Sequence, residues 1–253
     1  MKKSIIFLAA IFTLFSCIDD AYTPSSLTSQ GQSMFSSWHR SMTDCIYSHA
    51  KPAQLLEEYQ TLADEAQRQD FANRNFPNRV IIQDGAKWVV LYNLATLAPM
   101  IEVEYSADTA FVTTYYIGGY YPSDFDYSQS DKMNSKLVKN GENFDFELVQ
   151  ERETELNLKL DNRLNVADGN GFFYNNGNIK MEFEIIKPLF YSTANTIIDG
   201  EIDIKATNFD GKAEDVNLKF DGNSIAVTFR GVTERVSYNQ LMNSGYYYGD
   251  YYY

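Results

Sequence analysis

The sequence predicts a mainly β protein of the α+β kind. An N-terminal helical hairpin is followed by an antiparallel meander that closes as a barrel or a sandwich. Three observations carry that expectation. Residues 33–70 place apolar side chains three and four apart, the helical period. From residue 79 the period falls to two, so each strand buries one face and wets the other, as antiparallel strands do. Eight of the fourteen glycines follow Asp or Asn, dipeptides that favour tight hairpins. No helical stretch separates the alternating runs, which excludes a parallel α/β sheet. If the sheet does not close, the helices can cover its apolar face.

In the first helix Met34, Phe35, Trp38, Met42, Cys45, Ile46 and His49 form the apolar stripe. Lys51-Pro52 interrupts it, and proline suits the first turn of a new helix. Leu55, Leu56, Tyr59, Leu62 and Ala66 make the second stripe, with Glu57, Glu58, Asp64 and Glu65 turned away. Two amphipathic helices with a short link read as an αα-hairpin.

The β domain spans residues 79–232, in roughly ten strands joined in sequence. Ile101, Val103 and Tyr105 alternate with Glu102 and Glu104. Phe144, Phe146 and Leu148 follow the same rule, as do Leu156, Leu158 and Leu160. The run Ile179, Met181, Phe183, Ile185 is the best of the series and makes Phe183 a core marker. Ile202 and Ile204, Val216 to Phe220, and Ile225 to Phe229 complete it. Phe220-Asp221-Gly222-Asn223 is the clearest hairpin. Asp168-Gly169-Asn170-Gly171 reads as two overlapping turns, and Asp199-Gly200 as a turn or a bulge within one long strand.

Composition narrows the function. The chain has 253 residues and a net charge of −13, which leaves no electrostatic footprint for nucleic acid. Two cysteines and two histidines exclude a disulfide scaffold and a His/Cys-rich metal centre. No cofactor is expected.

The residues that could carry chemistry mostly read as structure. Cys45 and His49 share a helix face, as a thiolate and its base would, but that face is the apolar stripe. There is no G-x-S-x-G elbow for a serine nucleophile. Asp124-Phe125-Asp126-Tyr127-Ser128 begins like a calcium loop, yet Gln129 and Ser135 stand where an EF-hand needs Gly and Glu. The strand acids Glu102, Glu104, Asp145, Glu147, Glu182, Glu184 and Asp203 alternate with buried positions, as on a solvated sheet face. No catalytic or metal-ligating residue is therefore assigned. Tyrosine is the compositional oddity, with 19 in the chain. Tyr115 to Tyr127 holds the candidate ligand contacts Tyr120, Tyr121, Asp124, Asp126 and Tyr127, where aromatic faces lie beside carboxylates. The tail within 233–253 ends with six tyrosines in nine residues.

The amino terminus reads as an address. Lys2 and Lys3 precede an eleven-residue apolar run, Ile5 to Phe15, too short for a bilayer core of about 30 Å. Leu14-Phe15-Ser16-Cys17 then resembles the lipobox of bacterial lipoproteins. That resemblance implies cleavage of residues 1–16 as signal peptide, diacylglycerylation of Cys17 and a lipidated tether over 17–32. Ile18 is unlike the Asp that favours inner-membrane retention. Asp19 and Asp20 resemble the export signal of Bacteroidetes surface lipoproteins. The resemblance implies an outer-membrane anchor with the protein facing the cell exterior. The expected function is a non-catalytic surface binding or structural module with a glycan or protein partner. The alternatives are a surface hydrolase acting on glycans and a small-ligand carrier with a barrel cavity.

Overall fold

A computed structural model describes residues 27–92, 97–116, 131–150, 154–175, 179–192, 196–207, 211–222 and 224–237. Its helical part begins with α1 (Leu27–Cys45), runs through one π turn (Ile46–Ala50) into α2 (Lys51–Thr61), and ends with α3 (Glu65–Asn75). The first strands are β1 (Val80–Asp84), β2 (Lys87–Leu91), β3 (Pro99–Ser106), β4 (Thr109–Tyr116) and β5 (Asp131–Asn140). Then come β6 (Asn143–Gln150), β7 (Thr154–Asp161), β8 (Val166–Asn175) and β9 (Ile179–Tyr191). The series closes with β10 (Ile197–Thr207), β11 (Ala213–Asp221), β12 (Ser224–Phe229) and β13 (Val232–Ser237).

The helical expectation is corrected in two places. Lys51-Pro52 does not break the helix, because Ala50 and Lys51 both keep right-handed helical backbone. The Lys51 N–H reaches the Ile46 carbonyl, five residues back. This widened turn makes room for the Pro52 ring, which in a regular helix would press on the carbonyl four residues earlier. The Ser48 hydroxyl donates to the Asp44 carbonyl within it. The hairpin turn comes instead at residues 62–64, where Leu62 turns extended. Asp64 then caps α3, its Oδ1 accepting from the Ala66 N–H at 2.7 Å. The α2–α3 corner is held by the Tyr59 and Phe71 rings, 6.1 Å apart. The second correction is at the start: α1 begins at Leu27, so helix replaces the last part of the expected tether.

The sheet is one antiparallel meander of thirteen described strands in the order β1 to β13. That is three more than the roughly ten expected. β2 (KWVVL) and β4 (TAFVTTYY) lack strict polar alternation and so carry little period-two signal. Elsewhere the alternation holds. Phe183 is 5% exposed, and Leu156, Leu158 and Leu160 are all buried. Asp221 of β11 does pair with Ser224 of β12, as the hairpin expected there requires. Asp168 to Gly171 is not a turn but lies within β8. A Cβ on Gly171 would stand 2.3 Å from the Glu155 carbonyl, so glycine there lets β7 and β8 approach. Asp199-Gly200 is the bulge alternative, with register shifts on both sides of Asp199 and Gly200 at φ +127°.

One helix path serves most of the sheet. Phe35 packs on Phe220 of β11 at 5.6 Å, and Trp38 on Phe183 of β9 at 5.8 Å. His49 meets Phe146 of β6 at 6.5 Å, and Tyr59 meets Trp88 of β2 at 5.6 Å. The Tyr105 hydroxyl of β3 donates to the Ala53 carbonyl at 2.5 Å. Strands β2 to β11 can share one rod only if the sheet curls around it. The sheet is nevertheless open: among the described residues β1 and β13 are its edges and do not pair with each other. The helices cover the apolar face.

Candidate functional site

The residues singled out for lipidation and export, Cys17, Asp19 and Asp20, lie outside the described residues, and so does the Tyr-rich tail. The same holds for Tyr120, Tyr121, Asp124, Asp126 and Tyr127. Tyr116 of β4 pairs directly with Asp131 of β5, on either side of those residues in sequence.

Cys45 and His49 are described, and both are core residues. Burial pushes the Cys45 thiol up to about 12, so it stays protonated and unreactive. His49 is fully buried at the π turn. Its Nδ1 lies 2.9 Å from Ser135 Oγ and its Nε2 3.1 Å from Thr114 Oγ1. Burial pushes the imidazole down to about 4, so it is neutral at pH 7. Each ring nitrogen has a hydroxyl partner, one donating and one accepting, which ties the helix to β4 and β5. His39 is buried as well, against Phe35, with the Tyr191 ring also nearby.

The site that the geometry offers lies on the outer face of β9–β12. An open groove of about 980 Å³ runs there, lined by Glu184, Asp203, Lys205, Asp215, Asn217 and Thr228, among others. Strand pairing builds it. Glu184 stands opposite Asp203, Asp203 opposite Asn217, and Asn217 opposite Thr228, one residue from each strand in a single row. The adjacent row is Glu182, Lys205 and Asp215. Asn217 Nδ2 donates to Asp203 Oδ1 at 2.7 Å and to Glu201 Oε1 at 3.4 Å, which fixes the amide in the middle of the row. A hydrogen bond from Lys187 holds the Glu201 carboxyl below its ordinary range. One end is closed by Glu214, paired with Arg230 and, at 3.9 Å, with Lys212.

An aromatic pair flanks the groove on β8. Phe172 and Tyr174 sit edge to face at 6.1 Å, and Lys180 Nζ lies 4.5 Å above the Phe172 ring. Phe172 pairs with Glu182, a groove residue. Among the described residues no three His, Cys, Asp or Glu side chains converge to hold a metal. The groove offers acceptors, an amide and a hydroxyl in a row, a few ångströms from an aromatic edge. That suits a polyhydroxyl or peptide ligand lying across the strands.

Sequence reasoning placed Glu182, Glu184 and Asp203 on a solvated face, and the structure agrees. It missed that these acids share rows with Asn217 and Asp215. The only sequence signal was the repetition of a carboxylate at matching depth in three consecutive strands, and matching depth needs the register. Comparison of the chain with protein-family models, curated proteins and solved structures finds no match in any of the three.

Proposed function

We propose that the chain is a lipid-anchored protein of the outer membrane, facing the cell exterior, that acts as a non-catalytic binding module for a glycan or protein partner. The lipobox-like Leu14-Phe15-Ser16-Cys17 and the acids Asp19 and Asp20 support the anchor and its side of the membrane. The observation that carries the binding role is the polar row Glu184–Asp203–Asn217–Thr228 in an open groove. The sheet acts as a barrel-like wrap left open between β1 and β13, with α1 and α2 filling the space that a carrier would keep for cargo. The net charge of −13 disfavours nucleic acid as the partner.

Asp203→Ala with Asn217→Ala tests the reading, scored for melting temperature and for binding to a polysaccharide panel and to intact cells. Both side chains are on the wet face, so the melting temperature should hold while binding falls at least tenfold. Binding that survives the double change, but is lost with Tyr120→Ala and Tyr121→Ala, moves the site to the β4–β5 connection. Wild-type protein that binds nothing on the panel or on cells refutes the module.

A further inference from the structure

We infer that the β9–β10 hairpin end of the sheet rests on the lipid bilayer, and that the groove at the other end of the same strands faces away from it. This rests on the lipid anchor proposed above. Three side chains on that end are apolar and open to solvent: Ile186 at 44%, Phe190 at 45% and Ile198 at 41% exposure. Phe190 and Ile198 are neighbours by pairing, since Phe190 stands opposite Asp199, the residue after Ile198, and Ile186 lies four residues back along β9, beside the Lys187 that stands opposite Glu201. Isolated apolar residues on a surface are ordinary, and the outer face also exposes Phe111, Tyr174 and Ile179, but three on one hairpin, beyond the groove, form a patch.

The position of the chain's entry says what covers the patch. Helix α1 enters over the same end, because Phe35 packs on Phe220, next to the β11–β12 turn. That turn is bonded to the patch: the Gly222 N–H donates to the Ile198 carbonyl at 2.8 Å. Leu27 is ten residue steps from Cys17, a full contour of about 35 Å. An acyl chain on Cys17 therefore holds this end, within that reach, against the membrane. Three side chains would bind a bilayer weakly on their own. On a tethered body the contact is intramolecular, and a high effective concentration makes a small patch sufficient to set orientation. Lys205, in the groove, lies seven residues along β10 from Ile198, about 23 Å farther out.

The test uses the full lipidated protein in phosphatidylcholine vesicles that carry a nitroxide-labelled lipid. Ile198→Cys and Lys205→Cys are each labelled with a fluorophore; buried Cys45 does not compete. Flotation with the vesicles reports the anchor, and quenching reports the seating. Quenching at position 198 should exceed that at 205 several-fold. Adding Ile186→Ser and Phe190→Ser should bring it down to the level at 205 while flotation persists. Equal quenching at both positions in floating protein overturns the orientation and leaves the anchor standing. Quenching at 198 that ignores the two serines also overturns it. Protein that fails to float overturns the anchor, and the orientation with it.

Discussion

His49 is neutral in the folded protein because burial in the core disfavours its charged form. In the unfolded chain its imidazole titrates near 6.5, and in the fold near 4. Above pH 6.5 the residue is neutral in both states and costs nothing. As pH falls from 6.5 to 4 the unfolded chain takes up a proton that the folded one refuses, so stability drops through that window. The full difference is about 3 kcal/mol. His49→Gln should be less stable at pH 7 but flatter with pH, losing close to one proton from the slope between pH 6.5 and 4. Denaturant midpoints across that range measure it, and an unchanged slope would place the titrating group elsewhere. Phe183 carries a different load. It is buried against Trp38, so Phe183→Ala should cost about 3–5 kcal/mol, read from the same denaturation curves. A loss under about 1 kcal/mol would mean that the ring is not in the core. Both residues were legible as core from their spacing. The partners of His49 were not, because Ser135 and Thr114 lie 86 and 65 residues away in sequence.

At the level of elements, period and turn chemistry carried most of the reading. Alternation located β3, β6, β7 and β9 to β12, and the dipeptides at Asp84, Asn140 and Asp221 each ended a strand as expected, with the glycine at positive φ. The failures have physical causes. Asp-Gly and Asn-Gly at 168–171 look like turns because the same glycines that bend a chain also let two strands come close. Gly171→Ala tests which role applies. Its Cβ would meet backbone at 2.3 Å, so β7 and β8 must part, and stability should fall by about 1–3 kcal/mol in thermal or chemical unfolding. A neutral result would show that the two strands separate freely. The helix break was misplaced for a related reason. Proline at position 52 signals a boundary from sequence, but a single π turn absorbs it, and the true end at Leu62 lacks a glycine to mark it. The candidate groove was the least legible part, since it exists only as a register between four strands.

For the whole molecule the decisive feature is that neighbours in the sheet are neighbours in sequence while the helix is neighbour to nearly all of them. Each hairpin can form as soon as its own residues are available, with little loop entropy to overcome. The contact between Phe35 and Phe220 must wait for 185 residues to follow. A chain shortened before β11 should therefore keep its hairpins, and Trp38 its seat on Phe183, but leave Phe35 uncovered. Removing residues 208–253 should retain a β-type far-ultraviolet spectrum, lose the cooperative melt and bind a hydrophobic dye. A truncated chain that still melts cooperatively would show that β11 and β12 are dispensable to the core. The intact chain is accordingly held incomplete until its last strands arrive. On the lipid-anchored reading proposed above, in which the chain crosses a membrane as an unfolded thread, such a delay is useful, because the helix, made before the strands, finds no finished seat until the last strands of the meander have emerged.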